Sequence, residues 1–189
     1  SLEIAVLAPL PELRVRPRFY EEKVSTLVAP LTDLFAELDI TFIAGHAEQI
    51  DTTAKTVSYR MSGGAHATAS YDRLILATGS QTKRPPIAGL ADYAFDIDQL
   101  ESAQVFERHL DSLALRPSTP ERNTVVVCGG GFTGIELATE LPARLRARFG
   151  DNTEIKIVVV ERGPVIGGRY SDALRKTIAE ASEALGVEW

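Results

Sequence analysis

Hydrophobic positions along the chain fall into short continuous runs separated by amphipathic stretches, the pattern of strands alternating with helices. Leu2 to Leu7 is apolar and is closed by Pro9 and Pro11, which predicts a buried strand stopping at the prolines. The segment from Arg14 to Tyr20 is basic and broken by Pro17, and reads as a loop. Leu27, Leu31, Leu34, Phe35 and Leu38 recur at helical spacing. They predict a helix over residues 27–38, with Pro30 near its first turn and Thr32 or Asp33 available as a cap. Ile40 to Ala44 reads as a strand. Lys55 to Met61 and Ala65 to Tyr71, separated by Ser62-Gly63-Gly64, read as a hairpin. Leu74 to Ala77 is a further continuous apolar run, predicted to be a strand ending in Thr78-Gly79.

A linker containing Arg84-Pro85-Pro86 and Gly89 comes next. Asp98 then opens an amphipathic helix carrying Leu100, Val105, Phe106, Leu110 and Leu113, so a domain boundary is expected between residues 1–95 and 96–189. Thr124 to Cys128 predicts a strand running straight into Gly129-Gly130-Gly131. The helix after it holds Ile135, Leu137, Ala138 and Leu141 and is restarted or kinked at Pro142. Ile155 to Val160 predicts a second strand ending at Glu161, and Asp172 to Leu185, stopped by Gly186, a further helix. Continuous apolar strands interleaved with helices imply a parallel sheet covered on both faces, hence an α/β fold.

Composition narrows the function classes. With 189 residues and 44% hydrophobic content the chain is long and apolar enough to bury a core. A net charge of −6 gives no counterion-release drive toward a polyphosphate backbone, which argues against nucleic acid as a partner. Cys128 is the only cysteine, so neither an intrachain disulfide framework nor a tetrathiolate zinc site is available, and a reducing cytoplasm fits. His46, His66 and His109 are scattered without metal-ligand spacing. Apolar runs stay far short of the ~20 residues that cross a bilayer. The first residues lack the basic start and cleavage site of a signal peptide, and the absence of an initiator Met suggests a piece of something longer.

The chemistry-bearing motif is Gly129-Gly130-Gly131-Phe132-Thr133-Gly134, in which glycines fall as G-x-G-x-x-G between a strand and a helix. The first permits the tight turn, the second lets a pyrophosphate approach the backbone, and the third lets helix and strand pack closely. The helix start then offers unpaired N–H groups to phosphate. Glu161, closing the next strand, is placed to accept hydrogen bonds from the ribose hydroxyls of a dinucleotide. Its separation from the loop exceeds the usual ~20 residues, which is ascribed to an Arg-rich extension from Arg144 to Asp151. Arg162 beside it is a candidate partner for a 2′-phosphate. Arg144, Arg146 and Arg148 read as a solvated helix face, and Cys128 as a small buried strand residue.

Two separated segments, Tyr71-Asp72-Arg73-Leu74-Ile75-Leu76-Ala77-Thr78-Gly79-Ser80 and Val125 to Leu141, together resemble the pyridine-nucleotide-dependent flavoproteins. The likeness is greatest to their type-2 NADH dehydrogenase-like branch, and it covers essentially the whole chain. It implies a Rossmann-like flavoprotein with two dinucleotide-binding domains, here a partial FAD domain followed by part of an NAD(P)H domain. It further implies that Thr78 and Gly79 lie near FAD, and that Gly129, Gly131, Phe132, Thr133, Gly134, Glu161 and Arg162 serve NADH. Glu136 resembles the family glutamate at the nicotinamide end. Arg16 and Pro17 resemble a loop passing the flavin, and Ala47 a backbone position at the FAD adenine. Ala8 stands where an acidic residue ordinarily holds the FAD ribose, and the family's first Gly-loop is expected before residue 1. No cysteine occupies either stretch where related reductases carry their redox pair, so a dithiol–disulfide reductase is not expected.

The expected activity is hydride transfer from NADH to FAD, with electrons passed to a quinone or similar acceptor and no side chain of the chain acting as acid, base or nucleophile. The resemblance allows peripheral attachment to the inner face of a membrane through segments outside this chain, and a homodimer. Two other readings stay open at this point: a flavoprotein serving ferredoxin-like acceptors, and a non-catalytic nucleotide-binding redox sensor.

Overall fold

A computed structural model describes residues 2–189. The chain divides into two compact units, one made of the residues up to Arg14 with Val28–Gln81, the other of Val15–Leu27 with Thr82–Trp189.

In the first unit β1 (Ile4–Ala8) is followed by β2 (Glu12–Arg14), β3 (Val28–Pro30), α1 (Thr32–Glu37), β4 (Ile40–Asp51), β5 (Thr56–Met61) and β6 (His66–Ser70). β1 and β4 pair in parallel, from Ile4 opposite Ile40 to Ala8 opposite Ala44. From Gly45 onward the same strand β4 pairs antiparallel with β5, and β5 with β6, giving the order β1-β4-β5-β6. The hairpin is therefore where the turn residues placed it. The helix expected over residues 27–38 is shorter and begins at Thr32 with Leu31 at its N-cap and no side-chain cap. Val28 to Pro30 instead form a strand against Arg14 to Glu12, and Pro30 takes its last position, where a missing N–H interrupts no ladder. Phe35 is buried and stacks on Phe42, with ring centroids 5.9 Å apart. The strand expected at Leu74 to Ala77 is not formed, and Ile75 is 89% exposed. An apolar run becomes a strand only when its N–H and C=O groups find a ladder, and no described residue supplies one here.

The second unit contains α2 (Leu90–Tyr93), α3 (Leu100–Ala114), β7 (Thr124–Cys128), α4 (Phe132–Phe149), β8 (Lys156–Val160), α5 (Asp172–Leu185) and β9 (Val187–Glu188). Its three strands run parallel in the order β7-β8-β9, with Thr124 opposite Lys156 and Ile157 opposite Val187. Phe106 and Leu110 from α3, Ala138, Leu141 and Leu145 from α4, and Val127, Ile157, Val159 and Val187 from the sheet make one buried cluster. Pro142, buried in this packing, does not break α4, which continues to Phe149. The Arg-rich stretch from Arg144 is thus largely the last part of α4 itself and not an extension beyond it, and an 18-residue helix accounts for the long interval to Glu161. α5 keeps its anticipated bounds, capped by the Ser171 hydroxyl, which accepts from Leu174 N–H, and closed by Gly186 at φ 75°. The single turn α2 and the two-residue strand β9 were not anticipated, being too short for a period to show.

Residues 15–27 form a strap on this second unit. Two 3-10 turns, Arg16–Arg18 and Val24–Thr26, are closed by the Val15 N–H donating to Leu27 O at 2.9 Å, and Phe19 and Val24 are each 1% exposed. Asp98 does not cap α3, whose N-cap is Gln99. Its carboxylate instead accepts from Arg16 Nη2 at 2.5 Å and from Thr82 N–H at 2.9 Å. No helix among the described residues is long and apolar enough to cross a membrane.

Candidate functional site

The loop between β7 and α4 has the sterics its three glycines predict. Gly129 takes φ 117°, a conformation L side chains avoid, and its N–H donates to Val160 O at 2.8 Å, tying the loop to the end of β8. A Cβ at Gly134 would lie 2.0 Å from Gly129 O, so the third glycine is a packing requirement. A Cβ at Gly131 would meet nothing within 4 Å, leaving open space over the backbone at the second glycine. Gly131 is the N-cap of α4, and no side chain caps it. Phe132 and Thr133 supply the first turn, whose N–H groups lack an intrahelical acceptor and face that space with the positive end of the helix dipole. Bare donors, an open approach and no acidic side chain in the first turn fit a pyrophosphate group.

Glu161 stands one residue beyond β8, as anticipated, and is engaged. Its Oε2 accepts from Gly130 N–H at 2.7 Å and its Oε1 from Gly163 N–H at 3.0 Å. These two backbone donors hold its pKa below the ordinary glutamate range, with the Arg162 charge adding to them. A carboxylate offers about four lone-pair positions, and these bonds do not use all of them. The side chain is oriented by the loop it serves, and its free lone pairs are available to vicinal hydroxyls. Beside it lies a cleft of about 670 Å³ whose lining includes Glu161, Gly163, Val165, Arg175, Lys176 and Trp189. That size suits a nucleotide half, and the mixture of apolar walls with few polar groups is that of a small-molecule site. Trp189 and the two α5 cations escaped the sequence reading because only the parallel register of β9 brings them beside Glu161.

Glu136 lies one turn into α4. Burial raises its pKa, a hydrogen bond from Tyr20 opposes that, and the Glu21 charge adds to it. Arg16 and Pro17 belong to the strap and hence to the same unit as the Gly-loop, Glu136, Glu161 and Arg162. Ala47, Thr78 and Gly79 belong to the other unit. Ala47 sits at a bulge of β4, and Gly79 turns the chain at φ 69°.

Two minor readings are corrected. Cys128 is exposed, because strand alternation turns Val127 into the core and Cys128 to the opposite face, which described residues leave open. Arg144 is not solvated but 2% exposed, because α4 continues through Pro142 and carries that residue inward.

A parallel sheet whose first strand, Gly-loop and helix form a phosphate cradle, with an acidic residue at the end of the second strand, defines a dinucleotide-binding α/β protein. The profile of the pyridine nucleotide-disulphide oxidoreductases matches residues 12–189, and the chain belongs to that family. Among its relatives, an NADH dehydrogenase-like protein of Mycobacterium tuberculosis is 35% identical over 190 residues, covering 100% of this chain and 46% of that protein. A type II NADH:quinone oxidoreductase of Staphylococcus haemolyticus is 31% identical over 172 residues, covering 86% of this chain and 42% of its own length. NDH2 from Plasmodium falciparum has the same fold, with a TM-score of 0.82 at 17% identity over 98% of this chain and 42% of that one. The chain thus spans less than half the length of the relatives it matches.

Proposed function

We propose that this chain is the nucleotide-handling part of a flavin-dependent NADH oxidoreductase that delivers electrons to a quinone-type acceptor. The observation that carries the reading is the Gly-loop with Glu161 fastened to it: a phosphate cradle and a ribose acceptor joined by the Gly130 N–H bond of 2.7 Å. The type II NADH:quinone oxidoreductase that is 31% identical supports the choice of donor and acceptor.

In this reading Gly129, Gly131, Phe132, Thr133 and Gly134 receive the NADH pyrophosphate, Glu161 the adenine ribose with Arg162 beside it, and Glu136 lies toward the nicotinamide. Thr78, Gly79, Ala47, Arg16 and Pro17 serve FAD, which supplies the hydride acceptor when bound. The side chains bind, orient and exclude water; none needs to exchange a proton with substrate in the hydride step. In this reading residues 1–95 belong to the FAD-binding domain and residues 96–189 to the NAD(P)H-binding domain. A quinone dissolved in lipid would be met at the cytoplasmic face of a membrane, with contact made by segments outside this chain.

The test is anaerobic mixing of the flavin-loaded protein, as encoded, with NADH. Bleaching of the flavin followed by reoxidation with a soluble quinone is the expected result. A flavin that NADH leaves oxidised would show the protein to be a sensor or a binding module. A reduced flavin that passes electrons to a ferredoxin but not to quinone would move it to a different acceptor class.

A further inference from the structure

The chain passes between its two units three times, after Arg14, after Leu27 and after Gln81. Within the second unit, the residues that follow or precede these passages are fastened to one another. The Val15 N–H donates to Leu27 O at 2.9 Å and joins the first passage to the second. Arg16 donates from Nη2 to Asp98 Oδ1 at 2.5 Å and from Nε to Asp98 O at 3.1 Å. Thr82, the first residue after the third passage, donates its N–H to Asp98 Oδ2 at 2.9 Å. Each carboxylate oxygen of Asp98 is thus engaged by a different stretch of chain, and the side chain is only 22% exposed.

An aspartate at the start of a helix ordinarily accepts from that helix's own first N–H groups. Asp98 stands one residue before Gln99, the N-cap of α3, and turns its oxygens to the strap and to Thr82 instead. The element behind it is fixed, since α3 buries Ala103, Phe106 and Leu110. The segment between Thr82 and Asp98 is closed a second time by Arg84, which pairs with Asp96, and Asp96 also accepts from Asp98 N–H at 3.2 Å. Further along the strap, Lys23 N–H donates to Glu107 at 2.6 Å and Arg144 Nη1 to Tyr20 O at 2.6 Å. Hydrogen bonds to a carboxylate are short and directional, so one carboxylate that takes two segments holds each of them against the other.

We propose that Asp98 is a positioning residue for the flavin: its carboxylate moors both stretches of chain that carry flavin-serving residues. Arg16, next to Pro17, is held directly. Thr78 and Gly79 are held through Thr82, which follows Gly79 by three residues. This rests on the reading that assigns those four residues to FAD. It goes further in giving the task of holding them to a residue that lies beyond position 95, in the part read as NADH-binding.

Amide hydrogen exchange of the protein as encoded, read by mass spectrometry on peptides covering residues 15–27 and 81–84, needs neither NADH nor turnover. Asp98→Ala should speed exchange in both peptides, by roughly tenfold at Thr82. Arg16→Met should also speed exchange at Thr82, because the carboxylate that receives Thr82 has lost its cationic partner. Arg84→Gln, which opens only the second closure, should do so far less. A Thr82 amide that Arg16→Met leaves unmoved overturns the proposal, since the two holds would then be independent.

The second arm compares two ligands. Asp98→Ala should raise the FAD Kd about tenfold, the effect of losing one charge-assisted hydrogen bond, while ADP-ribose, a probe of the Gly-loop and Glu161, stays within about twofold. Asp98→Asn keeps an acceptor for Thr82 N–H and should fall between wild type and Asp98→Ala. If Asp98→Ala does not fold, Asp98→Asn set against Arg84→Gln decides the matter. An unchanged FAD Kd, or an equal loss of ADP-ribose, overturns the positioning role and leaves Asp98 a structural tie. A wild-type protein that binds ADP-ribose but holds no FAD overturns the flavin reading itself, and with it any part for Asp98 in placing flavin.

Discussion

Glu161 is held in place before any nucleotide arrives, so its substitution tests a group already set in position. Two backbone N–H groups orient the carboxylate, so Glu161→Ala removes both the ribose acceptor and the negative charge that repels a 2′-phosphate. Flavin reduction should favour NADH over NADPH in the wild type by about tenfold or more, and the preference should collapse in the variant. Equal use of the two by the wild type would remove Glu161 from the ribose. The same bonds set a pH window. A carboxylate whose folded pKa is depressed contributes above the unfolded value of about 4.3 and loses that contribution as pH falls through the lower folded value. The Gly130 amide resonance should therefore titrate only below about pH 4.3, and titration above it would mean that the Gly130 bond does not persist in solution. Gly134→Ala makes a different point. Its Cβ would stand 2.0 Å from Gly129 O, a backbone atom that cannot yield cheaply, so β7 and α4 must separate. A loss of about 1 to 3 kcal/mol of stability together with NADH binding is expected, read by thermal unfolding and nucleotide titration. Cys128, exposed and outside the core, should tolerate Ser with flavin reduction and quinone reoxidation within about twofold of wild type. A tenfold loss of reoxidation in a folded variant would place the thiol on the electron path.

At the scale of elements, α4 joins the packing of the unit to its chemistry. One face contributes Ala138, Leu141 and Leu145 to the core, its N-terminus closes the Gly-loop, and a third row carries Arg144 and Arg148 toward the strap. Leu141 is completely buried, and truncation to Ala should cost about 2 to 5 kcal/mol in chemical unfolding, because the sheet beneath cannot collapse into the space. Leu115→Ala, at a site 88% exposed, should stay within about 0.5 kcal/mol. Comparable losses at the two positions would mean that α4 does not pack on β7 and β8 as described. The amphipathic periods of α3, α4 and α5 and the continuous runs of β7 and β8 were legible in sequence because each element buries one defined face. Leu74 to Ala77 has an equally clear strand run and is not a strand, since pairing depends on a neighbour that no local pattern specifies. Val28 to Pro30 failed in the other direction: a helical period lost to antiparallel pairing with β2.

For the whole molecule, the two units carry unequal cores. The large buried cluster lies in the second, while the first buries few large side chains and leaves Leu74, Ile75 and Leu76 exposed. The 189-residue chain by itself is therefore expected to bind NADH more readily than FAD. Titration followed by flavin fluorescence should give a Kd above about 1 μM, whereas sub-micromolar stoichiometric binding would show that the first unit is complete enough to hold the flavin.

The Gly-loop, the acidic residue after the second strand and the α/β class were determined by sequence alone, since each depends on residue type at fixed local spacing: glycine where backbone must meet backbone or phosphate, carboxylate where a strand ends. Tertiary structure decided what those residues do to one another. It turned the Glu161 carboxylate onto Gly130, brought Trp189 and α5 beside it, and drew residues 15–27 away from their sequence neighbours onto α3 and α4. It also made Arg144, read as one solvated arginine among three, the buried hold on that strap. The physical reason is that a hydrogen bond between residues 124 positions apart leaves no periodicity in sequence, because its geometry exists only once both segments are packed.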